Sequence, residues 1–236
     1  MLHWLADEPG APFPPTRQAL AEPNGLLAAG GDLSSERLLN AYRQGIFPWY
    51  SEGNPILWWS PAPRCVIKPA RVHLSRRTRR RFNSGAYRLS LNAAFDDVIE
   101  ACTEPRAGET GTWITGEMLR AYRHMHQMGH AHSLEVWLGD ALAGGIYGLL
   151  IGSVFFGESM FSRATDGSKI ALVALCRLLQ EAGVELLDCQ VGNPHLFSMG
   201  AEEMDRLEFE QLLQALVDRP SGFNATPISD LPMGRW

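Results

Sequence analysis

Three apolar runs between residues 131 and 157 constrain the fold of this chain most strongly. They read A-H-S-L-E-V-W-L, A-L-A-G-G-I-Y-G-L-L-I and V-F-F-G, and they are separated by Gly139-Asp140 and Gly152-Ser153. Glycine beside a polar residue favours the two-residue turns of β-hairpins. The pattern therefore predicts three antiparallel strands, at 131–138, 141–151 and 154–157.

The residues after the third run predict how the sheet continues. Apolar positions at helical spacing predict a helix from Ser168, the expected N-cap, to Ala182, and V-E-L-L-D-C-Q-V (184–191) predicts a further strand. A strand, a helix and a strand in succession form a parallel crossover. We therefore expect an α+β fold whose sheet is mixed and mostly antiparallel. Ligands of such sheets bind where neighbouring strands diverge beside the crossover.

The first seventy residues differ in composition and predict a small N-terminal domain, 1–70, followed by a larger domain, 71–236. A helix is expected from Asp32 or Ser34 to about Gln44. Residues 47–64 hold three Trp and four Pro, and proline prevents a regular helix there. Three more helices are expected in the larger domain, beginning at Asn92, at Thr115 and at about residue 204.

Composition excludes several classes of protein. The chain has 236 residues, 45% of them hydrophobic, which is enough for a sizeable core. No run of about 18 apolar residues predicts a membrane span, and the first ten residues lack the regions of a signal peptide. The four cysteines stand apart without a C-x-x-C motif, which is typical of free thiols in a reducing compartment. We therefore expect a cytoplasmic protein that does not contact membranes.

No sequence motif indicates a metal, a nucleotide or a serine nucleophile. His126 and His130 lie four residues apart on a predicted helix, but there is no H-E-x-x-H motif and no carboxylate between or directly after them. The stretch G-E-S-M-F lacks the G-x-S-x-G turn, and neither a P-loop nor G-x-G-x-x-G occurs. We therefore expect no cofactor and no metal.

A cluster of arginines contrasts with the net charge of −5. Five of the six residues from 76 to 81 are arginine: Arg76, Arg77, Arg79, Arg80 and Arg81. Arginine presents a planar fork of donors that matches phosphate oxygens, so the cluster predicts local contact with an anionic polymer. A solvated helix face or loop is the alternative, although the five charges would repel one another.

Three polar residues flank the predicted crossover. Glu158, expected at the end of the preceding strand, has apolar neighbours, which predicts either a pocket for an apolar ligand with a cationic group or a solvated turn. Asp188 and Gln190 lie two apart on the following strand and share a face, so the carboxylate can orient the amide and aim its carbonyl oxygen. An ordinary strand end in solvent is the alternative.

Six longer motifs follow one another along the chain: G-I-F-P-W-Y (45–50), L-W-W-S-P-A-P-R (57–64), G-T-W-I-T (111–115), G-H-A-H-S-L-E-V-W (129–137), F-G-E-S-M-F-S-R (156–163) and D-C-Q-V (188–191). Together they closely resemble the bacterial leucyl/phenylalanyl-tRNA–protein transferases, in the family's order and spacing. The resemblance implies a GNAT-like acyltransferase domain. It also implies transfer of Leu or Phe, less well Met, from aminoacyl-tRNA to the N-terminal Arg or Lys of proteins, which marks them for N-degron degradation.

The resemblance further implies roles for individual residues. Asp188 and Gln190 would be catalytic, with Gln190 at the attacking amine, and proton transfer assisted by the substrate's ribose is an equal alternative. Trp49 and Trp113 would stack on the terminal adenosine, while Glu158 would face the cationic end of the acceptor. The five arginines would bind acceptor-stem phosphates. The donor pocket and a polar position near the acceptor would be formed by Ile146, Phe155, Met160, Leu172, Leu175, Leu187 and Asn193.

Two other functions stay open. An acyl-CoA-dependent N-acetyltransferase of related fold needs a pyrophosphate-binding loop of the form (Q/R)-x-x-G-x-(G/A), whereas this chain has R-A-T-D-G-S-K before the crossover helix. A non-catalytic tRNA-binding module would explain the arginines and tryptophans but not D-C-Q-V beside F-G-E-S-M. We expect Leu-tRNA, Phe-tRNA and acceptor proteins as partners, and a monomeric chain.

Overall fold

The computed structural model describes residues 2–8, 10–104 and 114–232, which form two β-sheets and the helices that cover them. The smaller sheet has the strand order β1-β2-β4-β3. Its strands are β1 His3–Leu5, β2 Leu26–Gly30, β3 Phe47–Pro48 and β4 Leu57–Trp59. Helix α1, Ser35–Arg43, connects β2 to β3, and its N-cap Ser34 accepts a hydrogen bond from the backbone of Arg37, which confirms the expected helix.

The larger sheet contains seven strands in the order β11-β5-β10-β9-β8-β7-β6. Every neighbouring pair is antiparallel except β9 and β10, which are parallel, so the predicted mixed, mostly antiparallel sheet is confirmed. The strands are β5 Arg64–Ile67, β6 Arg88–Leu91, β7 Ala131–Leu138, β8 Ala141–Ile151, β9 Val154–Ser162, β10 Leu186–Gln190 and β11 Glu202–Met204.

Six further α-helices occur in the described residues: α2 Arg76–Phe82, α3 Phe95–Ala101, α4 Gly116–Gln127, α5 Gly167–Glu181, α6 Pro194–Ser198 and α7 Arg206–Leu216. Helix α5 is the predicted crossover between β9 and β10. None of the helices in these ranges has the length and apolar character needed to cross a bilayer.

The larger sheet separates two hydrophobic clusters. Phe156 and Leu186 belong to the cluster that contains residues of α1, α3 and α4, whereas their neighbours Phe155 and Leu187 belong to the cluster around α5. Consecutive side chains of a strand point to opposite faces, so each of these strands is buried on both sides.

Strand β9 differs from the expectation, because it continues to Ser162 and places Glu158 within the strand. Tyr147 pairs with Ser159 and the next residue, Gly148, pairs with Gly157, so Glu158 is the extra residue of a β-bulge. A bulge lets pairing continue while it bends the strand and redirects a side chain. The glycine that suggested a strand end therefore precedes a bulge.

Two predicted helix starts were also wrong. The N-cap of α5 is Asp166, in a left-handed conformation at φ 65°, and not Ser168. Helix α3 begins after Ala94 because Asn92 has another role: its side-chain oxygen accepts from the backbone of Ser133 at 2.9 Å and ties the chain to β7.

The division at about residue 70 stays a prediction. Strand β5, Arg64–Ile67, precedes that point and lies between β11 and β10 of the larger sheet.

Candidate active site

A cavity of about 230 Å³ opens beside β9 and β10. Its apolar lining consists mainly of Ile146, Met160, Leu172, Leu187 and Leu196, and its polar lining includes Glu158, Ser159, Gln190 and Asn193. Pro48 and Trp49 line it from the smaller sheet. The structure therefore brings eight of the predicted site residues to one cavity: Trp49, Ile146, Glu158, Met160, Leu172, Leu187, Gln190 and Asn193.

Strand β10 has its own bulge at the cavity. Asp188 pairs with Val66 while Gln190 pairs with Cys65, so Cys189 is the extra residue. Gln190 has a φ of 63°, in the left-handed region that non-glycine residues seldom adopt. The Gln190 backbone N–H donates to Asp188 Oδ1 at 2.9 Å, which stabilises this turn of the chain.

In its ionised form, Glu158 accepts hydrogen bonds from three side chains. The hydroxyl of Tyr42 donates to Oε1 at 2.7 Å, that of Tyr122 donates to Oε2 at 2.9 Å, and Gln190 Nε2 donates to Oε1 at 3.0 Å. Burial raises the pKa of Glu158, the three donors oppose the rise and the nearby Asp188 adds to it, so that the net pKa is about 7. The carboxyl group is therefore poised between its two protonation states at neutral pH.

Asp188 lies beneath the cavity in a fully buried ion pair. Arg64 donates to its two oxygens at 2.8 and 2.6 Å, and the Arg64 guanidinium lies over the rings of Phe47 and Phe209. Asp188 thus holds the backbone of Gln190, while Glu158 holds the side-chain amide. The expectation that Asp188 orients the amide directly is wrong, because its oxygens are occupied by Arg64 and by the backbone N–H.

Two family models match this chain. The model of the leucyl/phenylalanyl-tRNA protein transferases matches residues 66–214, which is more than half of the chain. The model of that family's N-terminal domain matches residues 31–62. The chain belongs to the leucyl/phenylalanyl-tRNA protein transferase family. The resemblance that its motifs indicate is thereby confirmed.

Relatives named leucyl/phenylalanyl-tRNA–protein transferase match most of the chain. The protein of Nitrosomonas eutropha is 55% identical over 209 residues, 89% of each chain. That of Xanthomonas axonopodis pv. citri is 55% identical over 222 residues, 93% of this chain and 89% of the relative. That of Stutzerimonas stutzeri is 54% identical over 221 residues, 94% of this chain and 97% of the relative.

Among solved structures, L-PGS from Bacillus licheniformis is 11% identical, with a TM-score of 0.40 over 71% of this chain and 53% of that chain. A likeness of this degree supports no conclusion about function.

The tryptophans predicted to bind adenosine differ in what the structure describes. Trp49 is 42% exposed, and its ring centroid lies 5.9 Å from that of Trp59, whose Nε1 donates to the Trp49 carbonyl. An exposed ring that a neighbour holds in place at a cavity can stack on a base. Trp113, in the family motif G-T-W-I-T, lies outside the described residues.

Two residues predicted to line the donor pocket, Phe155 and Leu175, do not line the cavity. Phe155 and Leu175 are each 1% exposed and pack in the same hydrophobic cluster as Ile146 and Leu172. Asn193 lines the cavity and caps helix α6, since its side-chain oxygen accepts from the backbone of Leu196.

Sequence reasoning missed several residues at this site: Tyr42, Arg64, Tyr122, Ser159, Cys189, Val191 and Leu196. Tyr42 and Tyr122 lie on α1 and α4, where their spacing predicts only buried helix faces. Arg64 closes the family motif L-W-W-S-P-A-P-R, which was the available signal for a functional position.

The arginine cluster forms helix α2, capped by Ser75. Arg81 pairs with Asp166 at 2.6 Å, so it links the end of α2 to the start of α5. The other four arginines of the cluster are exposed, and the described residues provide no ion pair for them: Arg76, Arg77, Arg79 and Arg80. This helix therefore presents unneutralised positive charge to solvent.

His126 and His132 have structural partners. His126 Nδ1 lies 2.7 Å from the carbonyl oxygen of Ala131, and its ring stacks on Phe95 at 4.1 Å. His132 is buried, contacts Asn92 at 3.1 Å, and has its pKa lowered to about 4 mainly by burial. Across residues 2–8, 10–104 and 114–232, no three His, Cys, Asp or Glu side chains are grouped so that they could hold a metal ion.

Proposed function

We propose that this chain transfers Leu or Phe, less well Met, from aminoacyl-tRNA to the N-terminal Arg or Lys of acceptor proteins, which it thereby marks for degradation. Membership of the leucyl/phenylalanyl-tRNA protein transferase family supports the reaction. The observation that carries the proposal is the cavity, because one wall is apolar and the other holds Glu158 and Gln190. At about 230 Å³ it has the volume of roughly eight water molecules, which suits one amino-acid side chain.

The chemistry needs positioning more than activation. The donor is an ester, so forming a peptide bond from it requires neither ATP nor a metal. The acceptor is an α-amine with an ordinary pKa of about 7.7–8.0, so roughly a tenth of it is neutral at pH 7. Holding the amine against the ester converts a bimolecular reaction into an effectively unimolecular one.

Gln190 supplies an oriented acceptor for the amine. Its Nε2 donates to Glu158, which leaves its side-chain carbonyl oxygen to accept a hydrogen bond from a bound amine. An amide is hardly basic, so Gln190 positions the nucleophile and leaves the proton to another group. Asp188 and Arg64 hold the turn from which Gln190 projects.

The tRNA contacts divide between two surfaces. The ring of Trp49, at the edge of the cavity, stacks on the terminal adenosine, and the family motif assigns the same role to Trp113. Helix α2 binds acceptor-stem phosphates through its exposed arginines, as electrostatic contacts that do not depend on base sequence. The chain acts as a monomer in the cytoplasm, where aminoacyl-tRNA is made.

The test is transfer of label from charged tRNA to a peptide. The purified chain is incubated with radiolabelled Leu-tRNA, Phe-tRNA or Met-tRNA and a peptide that begins with Arg or Lys, and label in the peptide is measured. The control donors are Asp-tRNA, Lys-tRNA and Gly-tRNA. The control acceptors are peptides that begin with Gly or that carry a 2-hydroxy group in place of the α-amine. Only Leu and Phe, and more slowly Met, should reach the Arg or Lys peptide.

Two results would overturn the proposal. Transfer of acetyl groups from acetyl-CoA, without transfer from charged tRNA, would make the chain an N-acetyltransferase. Tight binding of tRNA without any transfer would make it a binding module. Equal transfer of charged or very small amino acids would remove the assignment of the apolar wall to the donor side chain.

A further inference from the structure

Three oxygen-bearing groups form a closed ring at the polar wall of the cavity. The hydroxyls of Tyr42 and Tyr122 lie 2.7 and 2.9 Å from the two oxygens of Glu158, and the two hydroxyl oxygens lie 2.5 Å from each other. Both tyrosines are fully buried. The ring therefore contains three hydrogen-bond distances and is shielded from water on the side of α1 and α4.

The number of protons in this ring identifies its protonation state. Each tyrosine hydroxyl provides one proton, and three hydrogen bonds need three. With Glu158 ionised, both hydroxyls would point to the carboxylate and no proton would lie between the two hydroxyl oxygens. With Glu158 protonated, it donates to Tyr122, Tyr122 donates to Tyr42, and Tyr42 donates back to Glu158. The observed distances fit the protonated ring.

The surroundings of Glu158 favour binding of a proton by its carboxyl group near neutral pH. Asp188, on β10, is a charged group that raises the pKa of Glu158, and it is itself paired with Arg64. Tyr147, on β8, packs edge-on against Tyr122 with its hydroxyl buried. Burial raises the pKa of Glu158 to about 7, close to the ordinary pKa of an α-amine.

We propose that Glu158 is the catalytic base that takes a proton from the α-ammonium of the bound acceptor, with Tyr42 and Tyr122 as the positioning residues that close the ring around that proton. The inference rests on the proposed aminoacyl transfer. The ammonium gives one proton to the Glu158 carboxylate and becomes an amine. The amine nitrogen bonds to the ester carbon, the bond to the 3′-oxygen breaks, and that oxygen takes a second proton from the nitrogen. Glu158 returns its proton to solvent.

The hydrogen bonds that the Glu158 carboxylate can still accept favour contact with the acceptor's α-ammonium over contact with the acceptor's side chain. Tyr42 and Gln190 occupy Oε1 and Tyr122 occupies one position on Oε2, so one lone pair is left for a substrate. A guanidinium stays protonated in proteins, so it cannot give up a proton to Glu158. Of the two cationic groups in an N-terminal Arg, only the α-ammonium matches Glu158 as a proton donor.

Titration of Glu158 in the free protein tests the ring without any substrate. In protein labelled with ¹³C at the glutamate carboxyl carbons, the signal that Glu158→Gln removes should titrate near pH 7. Tyr42→Phe should move that midpoint upward, because it removes a donor to the ionised form. Tyr147→Phe is the matched control, since the described residues offer no hydrogen-bond partner to its buried hydroxyl, and it should leave the midpoint unchanged. A midpoint near the ordinary glutamate pKa of about 4.3 would overturn the proposal.

The pH dependence of transfer tests the catalytic role. Between pH 6.5 and 8.5 the wild-type rate at saturating substrate should rise about fourfold, as a group with a pKa of about 7 ionises. In Glu158→Gln no carboxylate takes the proton, so the acceptor's α-amine must lose it to solvent before it reacts. The rate should then be low at pH 6.5 and rise about 17-fold over the same range, as expected for an α-amine with a pKa near 7.8. Ester hydrolysis without protein is subtracted at each pH.

The outcomes separate this inference from the proposed function. A defect of Glu158→Gln that is equally large at both pH values would overturn the role as base and indicate a structural or side-chain-binding role. Absence of transfer by the wild-type chain would instead overturn the proposed function, while the carboxyl titration would still decide whether the ring holds a proton. Tyr42→Phe should shift the pH profile in the same direction as the carboxyl midpoint.

Discussion

Removing the charge of Asp188 should destabilise the protein severely, although the substitution to Asn is nearly isosteric. Asp188 is fully buried, and both of its oxygens accept from Arg64 at 2.8 and 2.6 Å. Arg64 is 1% exposed, and one of its terminal nitrogens, Nη1, is buried without a hydrogen-bond partner in the described residues. In Asp188→Asn the guanidinium therefore keeps its charge, buried away from bulk solvent and without its carboxylate.

The expected magnitude follows from that uncompensated charge. Removal of one partner from a buried ion pair costs about 3–5 kcal/mol, a large part of the roughly 5–15 kcal/mol that stabilises a typical domain. For a chain of this size each kcal/mol lowers the melting temperature by about 2–4 °C, so we expect a decrease of about 6–20 °C. Rings of Phe47 and Phe209 beside the guanidinium recover only part of the loss.

The double variant Arg64→Met/Asp188→Asn separates stability from activity. It removes both charges and keeps an amide oxygen for the backbone N–H of Gln190, so the melting temperature should return most of the way to that of the wild type. If turnover recovers with stability, the pair is a scaffold for Gln190. If turnover stays low in the stable double variant, the charge at Asp188 contributes to the chemistry itself.

Urea unfolding and thermal melts measure these changes, with an exposed ion pair as the control. Arg43 and Asp218 have side chains that are 44% and 80% exposed, so Asp218→Asn should change the free energy of unfolding by less than about 1 kcal/mol. Equal effects of Asp188→Asn and Asp218→Asn would refute the reasoning, because the first pair would then be as well solvated as the second.

Three further changes have defined outcomes. Trp49→Ala should weaken Leu-tRNA binding by about 1–3 kcal/mol and leave the melting temperature unchanged, since the ring is 42% exposed; a large drop in melting temperature would show a core role. Replacement of Arg76, Arg77, Arg79 and Arg80 by Gln should reduce the slope of log affinity against log salt by about 0.7–0.9 per lost phosphate contact; an unchanged slope would place the tRNA surface elsewhere. Glu158→Gln should increase the free energy of unfolding by about 3 kcal/mol at pH 8 but by less than about 1 kcal/mol at pH 4.5. The wild-type carboxyl has a raised folded-state pKa, so its stabilising contribution is present below pH 4.5 and is lost as pH rises to about 7. A pH-independent difference in urea unfolding would contradict this.

Much of the fold follows from local pattern in the sequence. The antiparallel strands β7 and β8 are apolar runs of eight and eleven residues joined by a glycine turn, and helix α5 shows a clear apolar pattern before β10. These elements depend on side-chain period and turn chemistry, which a single sequence carries. The predicted crossover likewise places Glu158 and Gln190 on the two strands that flank it, and the structure joins their side chains at 3.0 Å.

The partners of the site residues could not be predicted in the same way. Arg64 and Asp188 are 124 positions apart, and Tyr42 and Glu158 are 116 apart. Such pairs depend on how the smaller sheet and α1 pack against β9 and β10. In the sequence, Tyr42 reads as one more buried residue of an amphipathic helix, since a polar tip on an aromatic ring does not change the apolar pattern.

The bulge at Glu158 explains why a charge can lie among apolar residues of a buried strand. Before the bulge, Phe156 belongs to the cluster around α1 and α4, and strict alternation would place Met160 on that same face. The extra residue reverses the alternation, so Met160 instead packs with the α5 cluster and lines the apolar wall of the cavity. Glu158 itself turns to Tyr42 and Tyr122 on the opposite side. One added residue thus places the carboxyl group and the apolar wall on two sides of the same cavity, which is the arrangement that an acceptor amine and a donor side chain require.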